Sequence, residues 1–425
     1  MNSQILPVRS LEALLKRRVA AVDLEALATI EPIVASVRAD GEQALRASAE
    51  RFGDLSEQGE LWLGPPQLRR SLESLLPEER RRLERVAERI VAFARLQRAS
   101  IVDTELALSG GRAGQRLAPI FAVGCYAPGG RHPLPSTVLM TALTARVAGV
   151  PNVVLASPRP TPLTRAAAAI AQVDGLLCAG GAAAIAAMAY GVSPAPPCDL
   201  ICGPGNRYVT AAKYWVSRDV AIDMLAGPSE LVVVADQAAD ADWVAADLIA
   251  QAEHDVDAQP VLIAVDESTV EPVRRALIQQ LSTARNAETA RIALARGGAI
   301  VVSDIQRAAH YSDVLAPEHL ALHLANAAQV SSLFQHYGAL FVGGAAGEVL
   351  GDYGAGPNHT LPTGGTARAR GGLSVLDFLR VRTWLAIDDP EAARELYEDA
   401  IWLGRAEGLT GHAHSAELRI SPTAF

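Results

Sequence analysis

At 425 residues the chain is longer than one compact core usually serves, so two or more domains are expected. Half the residues are hydrophobic, a fifth are charged and the formal net charge is −9 with no block of Lys or Arg, which fits a soluble globular protein and argues against binding nucleic acid through a basic surface. Four cysteines (Cys125, Cys178, Cys198, Cys202), none in a C-x-x-C pair, read as small buried thiols in a reducing cytoplasm.

The amino terminus, MNSQILPVRSLEALLKRR, has no apolar export core and no small-residue cleavage site, so no export signal is expected. The first hundred residues are charged and helix-rich. Pro77 to Arg98 opens with proline at a helix start and sets Leu83, Val86 and Ile90 on one face. From residue 120 short apolar runs alternate with Ala-rich helical stretches: NVVLAS, GLLCAG, DLICGP, ELVVVAD, PVLIAVD, AIVVSD and ALFVGG. That alternation predicts an α/β fold with largely parallel sheets. The long uncharged stretch from Gly175 to Cys198 is mostly Ala and Gly, and reads as strand, turn and buried helix rather than a membrane span. The last fifty residues lose the strand signal and read as helix plus an irregular tail. The expected organisation is a helical segment over 1–23, a discontinuous main α/β domain over 24–125 and 230–373, an inserted Rossmann-like domain over 126–229, and a helical tail over 374–425.

Four Gly/Pro-rich loops interrupt the scaffold: YAPGGRHPLPS (126–136), CGPGNRYV (202–209), LAGPSE (225–230) and GDYGAGPNHTLPTGGTA (351–367). Each follows an apolar run, which in a parallel sheet places it at a strand's carboxyl end, where ligands bind. They carry Tyr126, Asn206, Ser229, Glu230, Asp352 and His359. The dinucleotide fingerprint G-x-G-x-x-G is absent, because GPGNRY has Tyr208 at the third glycine position. In LIAQAEHDVDAQ, Gln251 and His254 are three apart and expected on one helix face, where they could share a metal. Two ligands are not enough, and Asp352, His359, His412 and His414 are the candidates for completing such a site. In APEHL, Glu318 and His319 are adjacent, should point in different directions, and could serve two separate proton transfers.

The run from PGG and PSTVLMTA through GPGN, AGPSE, QAEHD, APEHL and GDYGAGPNHTLPTGGTAR resembles the histidinol dehydrogenase family over about residues 25–415. The resemblance implies a cytoplasmic homodimer with one Zn2+ per subunit that oxidises L-histidinol to L-histidine in two NAD-linked steps. It implies Gln251, His254, Asp352 and His412 as zinc ligands, the last supplied by the partner subunit, and Glu318 and His319 as the catalytic pair. It further implies Ser229, His359 and Glu407 beside the zinc ligands and His319 at the substrate, and Tyr126 and Asn206 at NAD. No nucleic acid or membrane partner is implied.

One departure stands out. Where the family carries a Gln in GGAQAIAALAYG, this chain has Ala183, which predicts loss of a partly exposed cofactor contact. That change and His132 in PGGRHPLPS keep open a zinc- and NAD-dependent dehydrogenase of another polar alcohol or diol. A zinc hydrolase or a non-catalytic metal-binding scaffold is a third reading, and the intact Glu318-His319 pair speaks against a non-catalytic scaffold.

Overall fold

The computed structural model describes residues 5–19, 22–56, 59–129 and 133–420. Gly130 and His132 of the first glycine-rich loop lie outside these residues. Strands are numbered in chain order. They are β1 (Trp62–Leu63), β2 (Thr104–Leu108), β3 (Gly111–Pro119), β4 (Ala122–Tyr126), β5 (Asn152–Ala156), β6 (Gly175–Leu177) and β7 (Leu200–Cys202). There follow β8 (Ala221–Ile222), β9 (Glu230–Ala235), β10 (Gln259–Ala264), β11 (Gly298–Val301), β12 (His319–His323), β13 (Ala339–Val342) and β14 (Leu379–Ile387).

The chain divides into two compact units: Met1–Leu96 with Ile120–Phe378, and Gln97–Pro119 with Leu379–Phe425. The first unit holds two sheets. One has the order β1-β6-β5-β4-β7-β8, parallel except for β1. The other, β11-β10-β9-β12-β13, is parallel throughout. The α/β reading of the sequence is therefore correct. Ranking the parallel strands of each sheet by chain order gives 3-2-1-4-5 in both, so each reverses direction beside its first strand, at β4/β7 and at β9/β12.

The apolar runs explain why these strands are central. In β9 every residue of ELVVVA is buried. Leu231, Val233 and Ala235 enter one core cluster, and Val232 and Val234 enter another. Both faces of the sheet are thus covered, as expected for a continuous apolar strand. In β12 Ala321 belongs to the first cluster and Leu320 and Leu322 to the second, so the intervening His319 and His323 share the face of Ala321. The helix Ala241–Ala252 packs on that same face through Val244, Ala245, Leu248 and Ala252. Asp240 starts the helix, its side chain accepting from the backbone N–H groups of Asp242 and Trp243.

The stretch Gly175–Cys198 resolves into β6 and the buried helix Gly181–Tyr190, as its composition predicts. Among the described residues no helix is long and apolar enough to cross a membrane.

The second unit has an antiparallel sheet, β14-β3-β2, followed by the helices Arg394–Ala406 and Thr410–Ile420. Here the sequence reading falls short. Leu379–Ile387 forms a nine-residue strand inside the stretch read as helix and irregular tail. It is mostly exposed and interrupted by Arg, so it lacks the continuous apolar run by which β5, β6, β7, β9, β10, β11 and β13 are read from the sequence.

Candidate active site

Glu318 and His319 lie at the entrance of β12, and Glu230 at the entrance of the neighbouring β9. All three side chains are buried. One residue's backbone organises the pair: the Glu230 N–H donates to Glu318 Oε2 at 2.9 Å, and the Glu230 carbonyl faces His319 Nδ1 at 3.1 Å. Since a carbonyl oxygen can only accept, Nδ1 must carry the proton. His319 Nε2 is then the free ring nitrogen. It is buried, has no hydrogen-bond partner and lies 3.7 Å from Asp352 Oδ1.

Adjacent Glu and His were expected to diverge, but Glu318 Oε2 lies 3.7 Å from His319 Nδ1. The reason is local. Strand alternation begins only at His319, after Ala316 in the left-handed region (φ 43°) and Pro317, so Glu318 is free to turn back toward the same anchor.

Four acids surround this imidazole. Besides Glu230, Glu318 and Asp352, Glu348 lies 3.9 Å from His319 Nδ1, is 1% exposed, and has an unpartnered Oε2. Burial pushes Glu318 up to about 7 and Glu348 up to about 8, with the His319 ring opposing both shifts. Burial also raises Glu230. Burial alone would lower His319, but Glu318, Glu348 and Asp352 outweigh it and hold the ring at about 10. Asp352 is raised by burial but pulled below its ordinary value overall by His319, His359 and His254. Glu348 was not foreseen. Its only sequence signal is an isolated acid in the small-residue stretch GGAAGEVLG.

Gln251 and His254 differ in setting. The helix ends at Ala252, so Gln251 lies in its last turn while His254 falls just beyond it, rather than both lying on one helical face. The His254 N–H reaches back only three residues, to the Gln251 carbonyl at 3.4 Å, so the helix closes on a tighter last turn. Gln251 is 1% exposed, and neither Oε1 nor Nε2 has a hydrogen-bond partner. His254 is exposed, and its pull on the Asp352 carboxyl places it near that group. One turn before Gln251, Asp247 Oδ2 meets His323 Nε2 at 2.9 Å, tying the helix to β12.

Asp352 ends the short helical turn Val349–Asp352, and its carbonyl faces His359 Nδ1 at 2.9 Å. His359 Nε2 meets Thr137 Oγ1 at 3.1 Å, and burial lowers this ring's pKa. Ser229 is half-buried on the loop entering β9, its carbonyl accepting from Gln259 N–H at 2.9 Å. LAGPSE follows β8, as expected of a carboxyl-end loop, and leads directly into the amino end of β9, where Ser229 and Glu230 lie. Glu318 and His319 likewise lie at the amino end of β12. The carboxyl-end expectation also holds for the loops after β4 and β7.

Tyr126 ends β4, is buried, and its hydroxyl accepts from the Gly181 N–H at 3.2 Å. Asn206 caps the helix Arg207–Val216, Oδ1 accepting from Tyr208 and Val209 N–H, which leaves its amide NH2 available. Ala183 is 2% exposed within a run of buried alanines, so the position is interior rather than partly exposed as expected. Glu407 and His412 belong to the second unit, where both are exposed and line a groove of about 460 Å3 between Arg394–Ala406 and Thr410–Ile420.

Among the described residues no cluster of three or more His, Cys, Asp or Glu side chains is placed to hold a metal. The first unit's expected ligands are one His, one Asp and a carboxamide. The unpartnered amide of Gln251 and the surplus of buried acid around one imidazole both suit a cation bound through N and O donors.

Known proteins match along nearly the whole chain. The sequence profile of the histidinol dehydrogenase family matches residues 15–420. Histidinol dehydrogenase of Methylococcus capsulatus is 42% identical over 398 residues, spanning 92% of this chain and 91% of its own. That of Thermus thermophilus is 42% identical over 393 residues, spanning 92% and 93%. The crystal structure of histidinol dehydrogenase from Elizabethkingia anophelis superposes with a TM-score of 0.91 at 30% identity, covering 98% of both chains. With matches of this extent and identity, the chain belongs to the histidinol dehydrogenase family.

Proposed function

We propose that the protein oxidises L-histidinol to L-histidine in two NAD-linked steps, through an aldehyde, in histidine biosynthesis. The observation that carries the mechanism is the single anchor at Glu230, which holds Glu318 and leaves His319 Nε2 buried and free. When bound, Zn2+ would hold the substrate's imidazole and amino nitrogens in place, and NAD would accept the hydride. Gln251, His254 and Asp352 are the ligands this reading takes from the first unit, with His412 from the partner subunit of a homodimer.

In the metal-free fold the surrounding acids keep the His319 ring protonated; a bound cation would offset their charge and lower the ring's pKa, and Nε2 then accepts the proton of the alcohol in the first step. Its Nδ1–H stays on the Glu230 carbonyl throughout, so the ring does not have to turn to do so. Glu318 is raised into the range where a carboxyl group can exchange protons near neutral pH, and it takes a proton from the water that adds to the aldehyde. His359 is fixed at both ring nitrogens and serves as a wall of the substrate site, with Ser229. Tyr126 and the free amide of Asn206 are the assigned NAD contacts. The four cysteines are free and buried, which fits a reducing cytoplasm.

A substrate screen tests this reading. With purified, zinc-loaded protein and NAD, L-histidinol should give the highest kcat/KM among amino alcohols and diols. Another alcohol in first place would transfer the assignment to a different dehydrogenase reaction.

A further inference from the structure

The chain lacks the third glycine of the dinucleotide fingerprint, yet its first sheet has the strand order that creates a ligand crevice at the carboxyl ends of β4 and β7. Tyr126 ends β4, and Gly203 follows directly on β7. Gly203 has φ +114°, and a Cβ there would lie 2.1 Å from the Tyr126 carbonyl oxygen, so the two strand ends are packed backbone to backbone.

A buried ion pair holds Gly203 from both sides. Its N–H donates to Asp223 Oδ2 at 2.8 Å, and its carbonyl accepts from Lys213 Nζ at 2.9 Å. Lys213 and Asp223 also pair with each other, with side chains 3% and 0% exposed. Asp223 follows β8, and its Oδ1 accepts from the Met224 N–H. Lys213 lies in the helix Arg207–Val216, the helix that Asn206 caps. The segment Gly203–Asn206 is therefore fastened at its start to the side chain of Lys213 and at its end to that helix's first turn.

An ion pair this deep contributes little to stability alone, because removing two charges from water offsets most of their attraction. We propose that Lys213 and Asp223 are positioning residues for the dinucleotide: by fixing both polar groups of Gly203 they set the shape of the crevice floor that a glycine turn would otherwise set. The inference rests on the reading of this crevice as the NAD site.

The test is NAD binding by calorimetry to the zinc-loaded enzyme, with zinc stoichiometry and the KM for L-histidinol measured alongside. Lys213→Met should raise the NAD Kd about tenfold or more, equivalent to ~1.4 kcal/mol, and leave the other two values unchanged. Lys213→Gln, which keeps a donor for the Gly203 carbonyl without the charge, should restore most of the affinity. A folded Lys213→Met enzyme with an NAD Kd within about twofold of the unmodified value overturns the proposal. So does a Lys213→Gln enzyme as impaired as Lys213→Met. Should Lys213→Met fail to fold, Asp223→Asn is judged by the same NAD criterion. Absence of NAD binding by the unmodified enzyme would instead remove the reading on which this inference stands.

Discussion

Gln251→Leu should make the metal-free protein more stable and the metal site worse. Gln251 is 1% exposed, and both polar atoms of its amide lack partners, so the metal-free fold carries the cost of a dry, unpaired amide. That cost is about 1–3 kcal/mol. Leucine is of similar size and places no polar atom there. The substitution should therefore raise metal-free stability by about 1–2 kcal/mol, or a few degrees in Tm. Zinc affinity should move the other way. Loss of a partner behind a ligand typically costs about 10–100-fold, and loss of a ligand itself should cost at least as much. The assay is a thermal melt in chelator paired with a zinc titration against a competing dye. A Gln251→Leu protein that melts lower without metal and binds zinc as tightly as before would refute the reasoning.

Three further outcomes are expected. His319→Gln should cut turnover by about a hundredfold or more with zinc content retained, and unchanged turnover would remove His319 from its role as base. Metal-free protein should lose stability as pH rises from about 5 to 9: Glu318 and Glu348, at about 7 and about 8, and His319, at about 10, all keep protons in the fold that the unfolded chain has released. The contribution of each is complete below its unfolded value, about 4.3 for Glu and 6.5 for His, and disappears as pH passes its folded value. For Glu318 alone this is on the order of 3 kcal/mol, and a Tm that is flat or rising over this window would show the acids are not buried as described. Finally, mixing inactive His319→Gln protein with inactive His412→Asn protein should recover part of the activity through hybrid dimers. No recovery after demonstrated subunit exchange would place all four ligands within one chain.

The α/β scaffold was legible because its strands are continuous apolar runs such as ELVVVA and PVLIA, buried on both faces. The second unit was not, since β2 and β14 are largely exposed and β3 is only partly buried. Its one local cue was Ser109-Gly110 between β2 and β3, a two-residue turn signal with Gly110 at φ +71°. In the site, residue types and spacing singled out Gln251, His254, Glu318, His319, Asp352 and His359. Spacing could not show that Glu230 grips Glu318 and His319 through its backbone, because such a contact leaves no side-chain pattern. Glu348 and the Asp247–His323 pair were equally hidden. Each is polar only at single positions in otherwise apolar or small-residue segments, and their meaning depends on β12 facing the helix Ala241–Ala252.

The most direct test of the proposed reaction is its stoichiometry. Incubated with limiting L-histidinol and excess NAD, the zinc-loaded enzyme should form two NADH and one L-histidine for each histidinol consumed. A ratio of one with aldehyde accumulating, or histidinol left unconsumed, would contradict the assignment of Glu318 and His319 to two successive oxidations in one site.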